Sequence, residues 1–359
     1  MSVSGRDTTR IKQLASEIKT SPIFLGSLEN RVKACFEKSP LFARDAISLI
    51  TTLERIVNIR FSSKQRGLLL AVLDDNRTFL SSNGFHSPEH CISVALITAM
   101  LMAEQDKIHP IPDSYKFIGI VCGLGHDARH PGSRYPSMNL KPTMLERYSA
   151  NILGKIMIKM GFMAHEVSVA EGIIQATAPS LRRGLCDTRL YNEMKLKSYP
   201  EFMGEFVKSI PAIANNIQAL RIASILADAD ISISVLSPYW TDFMYVKLLD
   251  EIDVENTDSA HLSAQRFFMQ DIVCGIFCSD ACEELTPLMF ETYRYLLPDA
   301  NFDLAEMTIE SKHTSHLTKL KLKKLGDDIK PTDVTNGNLT FISGKETYIL
   351  LRTGSLCHV

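Results

Sequence analysis

Apolar residues recur three and four positions apart through most of the chain, and this spacing is the strongest constraint on its fold. Ile47–Val57 and Leu68–Leu73 are clear examples. The spacing is that of a helix with one face buried against a core. The alternation typical of strands is almost absent until the end of the chain. We therefore predict an all-α fold in which sequential helices pack into one compact domain.

Two helices are predicted to be buried on all sides, because Cys91–Met102 and Phe117–Leu124 are apolar around almost their whole circumference. The longest strongly apolar run, Cys91–Ala103, is too short to span a bilayer. The first residues contain no apolar stretch of the kind found in a secretory signal. The eight cysteines include no Cys-x-x-Cys pair, which indicates reduced thiols. We therefore expect a cytoplasmic protein without a membrane span.

The charge balance excludes partners that bind through a strong electrostatic field. The chain has 39 Lys and Arg residues against 41 Asp and Glu residues, a net charge of -2. A nucleic acid polymer or an anionic membrane surface would require a basic patch. We therefore expect a small-molecule ligand that is bound by a local site. The sequence leaves open whether the chain forms a homodimer.

The sequence pattern divides the 359 residues into three segments. Residues 1–40 are predicted to form an N-terminal helical extension, and residues 41–300 the main helical domain. Residues 301–359 carry a basic run, Lys312–Lys324, which is interpreted as a solvated face or a partner-binding segment. Two strand-like stretches then follow at Leu339–Ile342 and Thr347–Leu351, and they predict a small C-terminal β-hairpin.

The first segment with metal chemistry is Phe85–His90, which leads into the apolar helix. Ser87 has the character of a helix N-cap and Pro88 that of a first helical residue. His90 then lies in the first turn of the helix, while His86 lies just outside it. The two imidazoles can approach one site from different backbone environments, which permits different roles.

The second segment, His126–Gly132, follows the apolar stretch that ends at Gly125. Its Pro-Gly pair ends the helix and places the polar side chains at the helix exit. Two adjacent ligands, His126 and Asp127, can bind one metal ion. Because a carboxylate has two oxygens, Asp127 could also bridge to a second ion.

The third segment, Leu226–Ser232, places Asp228 and Asp230 inside an otherwise apolar helix. Buried carboxylates need a cation or good hydrogen bonds, because burying a bare charge is very costly. Each of the three segments is a weak signal alone. In this order, however, they supply the ligand set of the HD-type metal hydrolases, and together they predict a metal site.

At these residues the chain resembles the catalytic domain of class I 3′,5′-cyclic nucleotide phosphodiesterases. The family motifs are Tyr-His-Asn-x-x-His, His-Asp-x-Asp-His-Pro-Gly, Val-Leu-Glu-Asn, Ala-Asp-Leu-Ser, Trp-Thr-Asp and Gln-x-x-Phe. The similar segments here are, in the same order, Phe85–His90, His126–Gly132, Met144–Arg147, Ala229–Ser232, Trp240–Asp242 and Gln265–Phe268. The match covers about residues 45–285, and it implies a multi-helix HD/phosphodiesterase catalytic domain.

The resemblance implies two divalent metals. The first, zinc, would be held by four side chains, those of His90, His126, Asp127 and Asp230. The second, magnesium or manganese, would be reached from Asp127, mainly through waters. A hydroxide bridging the metals would attack phosphorus in line. His86 would act as the general acid that protonates the leaving 3′ oxygen.

The resemblance also implies supporting and substrate-binding residues. His130 and Glu146 would orient ligands, waters and the general acid. Gln265 would hydrogen-bond the purine edge, and Phe268 and Met244 would sandwich the base. Without the resemblance, Gln265 would be interpreted as a solvated amide, and the other two as ordinary core residues.

Several positions depart from the family pattern. Arg129 replaces the second Asp of the metal segment, and it either turns outward or helps to hold phosphate. Ile233 replaces an Asn that helps to read the base in the family. Asp228 competes with Asp230 as the ligand, although the Ala-Asp-Ile-Ser context favours Asp230.

The sequence therefore leaves three functions open. The leading prediction is hydrolysis of cyclic AMP, cyclic GMP or both to the 5′-monophosphate. A second is an HD-type phosphohydrolase of another nucleotide, such as a triphosphate, which would need several basic residues around the motifs. A third is a nucleotide-binding module with weak or no catalysis that has kept the scaffold.

Overall fold

A computed structural model of the chain describes most of the helical domain and part of the C-terminal segment. The described residues are 22–24, 26–132, 143–179, 181, 182, 185, 210–251, 253, 265, 268, 273 and 277–296, together with six strands between residues 307 and 358. The predicted N-terminal extension is therefore described only from residue 22.

The described part of the main domain is helical, as the periodicity predicts. Its α-helices are, in chain order, α1 Leu28–Phe42, α2 Ala46–Val57, α3 Ser63–Leu80, α4 Pro88–Ile108, α5 Asp113–Gly125, α6 Met144–Lys159, α7 Ala164–Gln175, α8 Pro211–Ala214, α9 Ile217–Val235, α10 Pro238–Glu251 and α11 Thr286–Leu296. Two short 3-10 helices lie at Pro22–Phe24 and Asp280–Leu285.

Helix α4 lies at the centre of the domain and packs against α1, α2, α3, α5 and α9. Its residues from Cys91 to Met102 are all buried, and so are those of α5 from Lys116 to Gly125. Both predictions of helices buried on all sides are therefore confirmed. None of the described helices combines the length and the hydropathy that crossing a lipid bilayer requires.

The close packing of α4 and α5 depends on Gly123. A Cβ atom at this position would lie only 2.8 Å from the Cα of Ala95 on α4, which is too close for any other residue. The glycine therefore allows the two backbones to approach each other. This approach brings the first turn of α4 near the end of α5, where the predicted metal-binding residues lie.

The C-terminal segment contains more strands than predicted. Strands β3 (Lys330–Thr335), β4 (Asn338–Ser343), β5 (Glu346–Leu350) and β6 (Leu356–His358) form an antiparallel sheet in that order. The predicted hairpin is confirmed as β4 and β5, with Ser343 opposite Glu346. Two further strands, β1 (Met307–Glu310) and β2 (Lys319–Leu322), form a separate antiparallel pair.

Candidate active site

Three elements bring four side chains to one point, and we call this set the four-residue cluster: His90, His126, Asp127 and Asp230. The first turn of α4 supplies His90, the turn after α5 supplies the adjacent His126 and Asp127, and α9 supplies Asp230. Ser87 caps α4 as predicted, because its Oγ accepts a hydrogen bond from the His90 N–H at 3.3 Å, and Pro88 follows as the first helical residue.

Each carboxylate of the cluster lies close to both imidazoles. The Nε2 atoms of His90 and His126 are 3.2 Å apart. The Asp127 Oδ2 atom lies 3.4 Å from the first of these nitrogens and 3.1 Å from the second, and Asp230 Oδ1 lies 3.2 and 3.3 Å from them. Nitrogen and oxygen ligands bind zinc at about 2.0–2.2 Å, so neighbouring ligands of one ion lie about 3 Å apart. The distances from each carboxylate to the two imidazoles therefore fit one divalent metal ion.

The tautomer of His126 supports the same assignment. Its Nδ1 atom donates to the backbone oxygen of Gly123 at 2.9 Å, because a carbonyl oxygen can only accept. The lone pair of a neutral imidazole is then on Nε2, the atom that faces the cluster. Both histidines of the cluster are almost completely buried. The backbone thus holds one ligand nitrogen ready for a metal.

The four side chains strongly perturb one another. Burial would lower the pKa of His90 and His126, but the two carboxylates raise it, and the pKa of His126 lies well above its usual value. Burial would raise the pKa of Asp127 and Asp230, yet the charge of His126 and the hydrogen bonds from both histidines lower it. Without a cation, protons on the imidazoles balance the carboxylates. A metal ion would replace these protons.

A second group of side chains lies beside the cluster and forms what we call the acid dyad, His86 and Glu251. His86 Nδ1 lies 2.6 Å from Glu251 Oε1, and a carboxylate can only accept, so the imidazole donates. Glu251 Oε2 also accepts from the backbone N–H groups of Phe85 and His86, at 2.7 and 2.9 Å. Burial would raise the pKa of Glu251, but these hydrogen bonds lower it. The carboxylate is therefore ionised and fixes the orientation of His86.

His130 completes this second group as a neutral imidazole. Its ring stacks on that of His86 with 3.6 Å between centroids. Its Nδ1 accepts from the backbone N–H of Gly132 at 3.2 Å. Burial and the neighbouring His86 lower the pKa of His130 to about 4. His86, His130 and Glu251 also satisfy the spacing of a metal site, but the short contact between His86 and Glu251 is that of a hydrogen bond, so we interpret the group as a proton-handling one.

Glu146 lies on the first turn of α6 and is half-buried. Burial and the nearby charges of Asp127 and Asp230 raise its pKa. The structure therefore places this predicted residue within electrostatic range of the four-residue cluster. A carboxyl group with a raised pKa is suited to accept a proton.

Asp228 and Asp230 face different sides of α9. Asp228 is completely buried, and it pairs with Arg182 Nη2 at 2.7 Å. It also accepts from the backbone N–H groups of Cys278 and Ser279, at 2.8 and 2.7 Å. Hydrogen bonds thus satisfy Asp228, whereas Asp230 contacts His90 and His126. The geometry therefore favours Asp230 as the ligand, which stays a prediction.

The predicted base-binding residues lie around α10. Met244 is buried on this helix, and the ring of Phe268 contacts that of Tyr245 with centroids 5.6 Å apart. Gln265 is buried and its amide nitrogen donates to Asp242 Oδ1. The interpretation of Gln265 as a solvated amide is therefore wrong. Base binding by these residues stays a prediction.

Glu251 is the residue of the site that the sequence does not reveal. It is the last residue of α10, and its contact with His86 joins positions 165 residues apart. The motif nearest to it, Trp240–Asp242, lies at the start of the same helix. The signal that could have suggested a role for Glu251 is the position of a carboxylate on the buried side of this helix.

No protein-family model matches the chain, and no curated protein sequence matches it. Among the solved structures that match are two phosphodiesterase domains from the choanoflagellate Salpingoeca rosetta. The phosphodiesterase domain of the RhoPDE fusion protein is 15% identical, with a TM-score of 0.43 and coverage of 82% of this chain and 96% of that chain. The phosphodiesterase domain of rhodopsin phosphodiesterase is 16% identical, with a TM-score of 0.44 and coverage of 82% and 92%. Both similarities are too low to carry an argument about function.

Proposed function

We propose that the chain is a metal-dependent hydrolase that opens a 3′,5′-cyclic nucleotide to the 5′-monophosphate. The observation that carries the proposal is the four-residue cluster, in which the imidazole nitrogens lie 3.1–3.4 Å from each other and from the two carboxylates, beside a histidine that a buried carboxylate orients. The sequence resemblance to cyclic nucleotide phosphodiesterases supplies the substrate class. The geometry supports metal binding by the cluster and proton donation by His86, which this hydrolysis needs.

Two divalent metals are proposed at this site. Two imidazole nitrogens and two carboxylate oxygens favour zinc as the first metal. The remaining oxygen of Asp127 offers the hard ligand that magnesium or manganese prefers. When bound, the metals supply Lewis acidity at phosphorus and lower the pKa of a coordinated water.

His86 is proposed as the general acid. Its Nδ1 is engaged by Glu251, so Nε2 is the nitrogen that can face a substrate. As a water oxygen attacks phosphorus, the bond from phosphorus to the 3′ oxygen breaks. His86 then donates a proton to that oxygen, which is a poor leaving group without one. The negative charge of Glu251 stabilises the protonated imidazole until the proton is transferred.

Glu146 and His130 are proposed to support this transfer. Glu146, with its raised pKa, accepts the proton that the attacking water loses. His130 stays neutral at physiological pH and stacks on the general acid. It therefore holds the ring of His86 in place without adding a second positive charge.

The orientation of Arg129 favours a cyclic monophosphate over a polyphosphate. A nucleoside triphosphate carries several negative charges and needs several cations at its site. Arg129 is the basic residue closest in sequence to the metal ligands, yet its guanidinium donates to Asp75, with the shortest contact at 2.7 Å. Its charge is therefore already neutralised by a protein group.

The test is chromatographic analysis of the products formed from cyclic AMP and from cyclic GMP, separately, with zinc-loaded protein in magnesium or manganese. We expect the 5′-monophosphate to appear, and the ratio of the two rates to define the base preference. Asp127→Ala should abolish the product, because it removes a ligand of the cluster. Asp74→Ala, which removes an exposed carboxylate on α3, is the matched control and should keep full activity. If wild-type protein binds zinc and both nucleotides stay intact, the proposal is wrong.

A further inference from the structure

The turn that carries two members of the four-residue cluster has an unusual backbone. Residues 126–129 follow α5 directly, and Arg129 has a φ angle of +57°. A residue other than glycine adopts this left-handed conformation only when its surroundings hold it there. The surroundings of Arg129 therefore bear on the position of His126 and Asp127.

A salt bridge and a ring contact hold the Arg129 side chain against α3. Its Nε atom lies 3.2 and 3.1 Å from the two carboxylate oxygens of Asp75, and its Nη2 atom donates to Oδ1 at 2.7 Å. The guanidinium carbon lies 3.9 Å from the centroid of the Phe79 ring. Asp75 and Phe79 are four residues apart, so they lie on the same face of the helix. A planar guanidinium suits both contacts at once.

The same helix also holds the end of α5. The Asn76 side chain, which is buried, donates to the backbone oxygen of Leu124 at 2.7 Å. One turn of α3 thus fixes the backbone before the metal-binding turn through Asn76, and the backbone after it through Arg129. The ligands His126 and Asp127 lie between these two attachment points.

We infer that Arg129 is a positioning residue, which with Asp75 and Phe79 forms a brace that holds the metal-binding turn in the geometry the metal requires. This role explains how an arginine can occupy a position so close to the metal ligands, because its charge is paired with Asp75. The brace acts on metal binding, and it rests on the proposed function only for its effect on hydrolysis.

The test is the zinc affinity of the full chain, measured by competition with a chromophoric chelator. Arg129→Gly keeps the left-handed backbone favourable and removes only the side chain. Asp75→Ala removes the brace from the other side without changing the turn. Each variant should bind zinc about 10–100-fold more weakly, as do other changes to groups that orient metal ligands. The double variant should bind zinc no more weakly than the more affected single variant, because Arg129 and Asp75 act as one unit.

Arg77→Ala is the matched control. This arginine lies on the same helix, but its guanidinium donates to the backbone oxygen of Ala43, at 3.1 and 2.7 Å. Its removal should leave the zinc affinity at the wild-type value. Thermal melts of all variants in excess chelator will show that loss of zinc affinity is not loss of the fold.

Two results would overturn the inference. One is wild-type zinc affinity in both Arg129→Gly and Asp75→Ala. The other is a raised KM for the cyclic nucleotide in Arg129→Gly alone, with zinc affinity unchanged, which would make Arg129 a phosphate ligand. If zinc-loaded wild-type protein hydrolyses neither nucleotide, the proposed function is wrong, while the zinc titrations still decide the inference about the brace.

Discussion

Among single residues, the metal-ligand candidates were the easiest to find in the sequence, and the group that orients the general acid was the hardest. His90, His126 and Asp127 occur in short motifs with recognisable spacing, and the structure brings both imidazoles close to each other and to the carboxylate. Glu251 belongs to no motif, because its partner lies 165 residues away. A pattern along the chain records local spacing, whereas this contact depends on how α10 packs against the start of α4.

Replacing Glu251 with glutamine tests the acid dyad. The amide oxygen can still accept from the backbone N–H groups of Phe85 and His86, so the loop should keep its shape. The protonated form of His86 loses its counter-charge. We therefore expect kcat to fall about 10–100-fold with little change in KM, because only the proton transfer is affected. Steady-state kinetics over a range of pH will measure both effects.

A neighbouring carboxylate separates this role from a general effect of charge. Asp250→Asn changes the exposed carboxylate beside Glu251 on α10 and should leave kcat and KM as in the wild type. A wild-type kcat in Glu251→Gln, with only the thermal stability changed, would contradict the proposed role of Glu251.

At the scale of elements, helix α9 shows what a periodic pattern leaves undecided. The sequence predicted a buried helix with two carboxylates, but not which of them faces a ligand. Residues two positions apart point about 200° apart on a helix. Asp230 accordingly faces the four-residue cluster, whereas Asp228 faces Arg182 and the 278–279 backbone. The choice depends on what packs against each side of α9, which the sequence does not state.

The two aspartates of α9 should respond oppositely to replacement. Asp228→Asn leaves the buried Arg182 guanidinium without its carboxylate, which should lower the free energy of unfolding by about 3–5 kcal/mol. Its zinc affinity should change little. Asp230→Ala should lose zinc binding with much less effect on the metal-free protein. Chemical denaturation and zinc titration of both variants will show whether stability and metal binding separate in this way, and equal losses of both in each variant would refute it.

The strands of the C-terminal segment show a second limit of the pattern. The apolar runs of β4 and β5 were recognisable, and their pairing is confirmed. Strand β3 was missed, because Lys330–Thr335 is mostly polar and contains Pro331. Proline is tolerated in an edge strand, and β3 is at the edge of its sheet. Strand β6 has three residues, which is too few for a periodic signal.

At the scale of the whole molecule, the proposed zinc ion should stabilise the fold, since it would join α4, the turn after α5, and α9. A ligand present at 1,000 times its Kd adds about 4 kcal/mol, which for a chain of this size raises Tm by roughly 5 °C. Thermal melts in zinc and in chelator will measure the difference. Asp230→Ala should abolish the increase in Tm that zinc causes. Asp228→Asn should keep this increase, although its Tm should be lower than that of the wild type in both conditions.

The stabilisation by zinc should grow as pH rises from about 6.5. The folded protein raises the pKa of His90 and His126. Protonation of these histidines therefore stabilises the metal-free protein at low pH, and this stabilisation is lost as pH rises through their pKa values in the folded state. Zinc must displace the same protons, so its affinity increases over the same range. A difference in Tm between zinc and chelator that stays constant from pH 6 to pH 8 would contradict this expectation.

The positions of the four cluster residues along the chain also set the order in which a ribosome delivers them. His90, His126 and Asp127 emerge early, whereas Asp230 follows His90 by 140 residues, which takes roughly 7–28 s at ordinary rates of synthesis. Before Asp230 is made, a metal ion at the proposed site would meet three of its four ligands, and helix α9 would be incomplete. If the four residues bind a metal as proposed, we therefore expect the choice of metal to be a late event in the biogenesis of this protein.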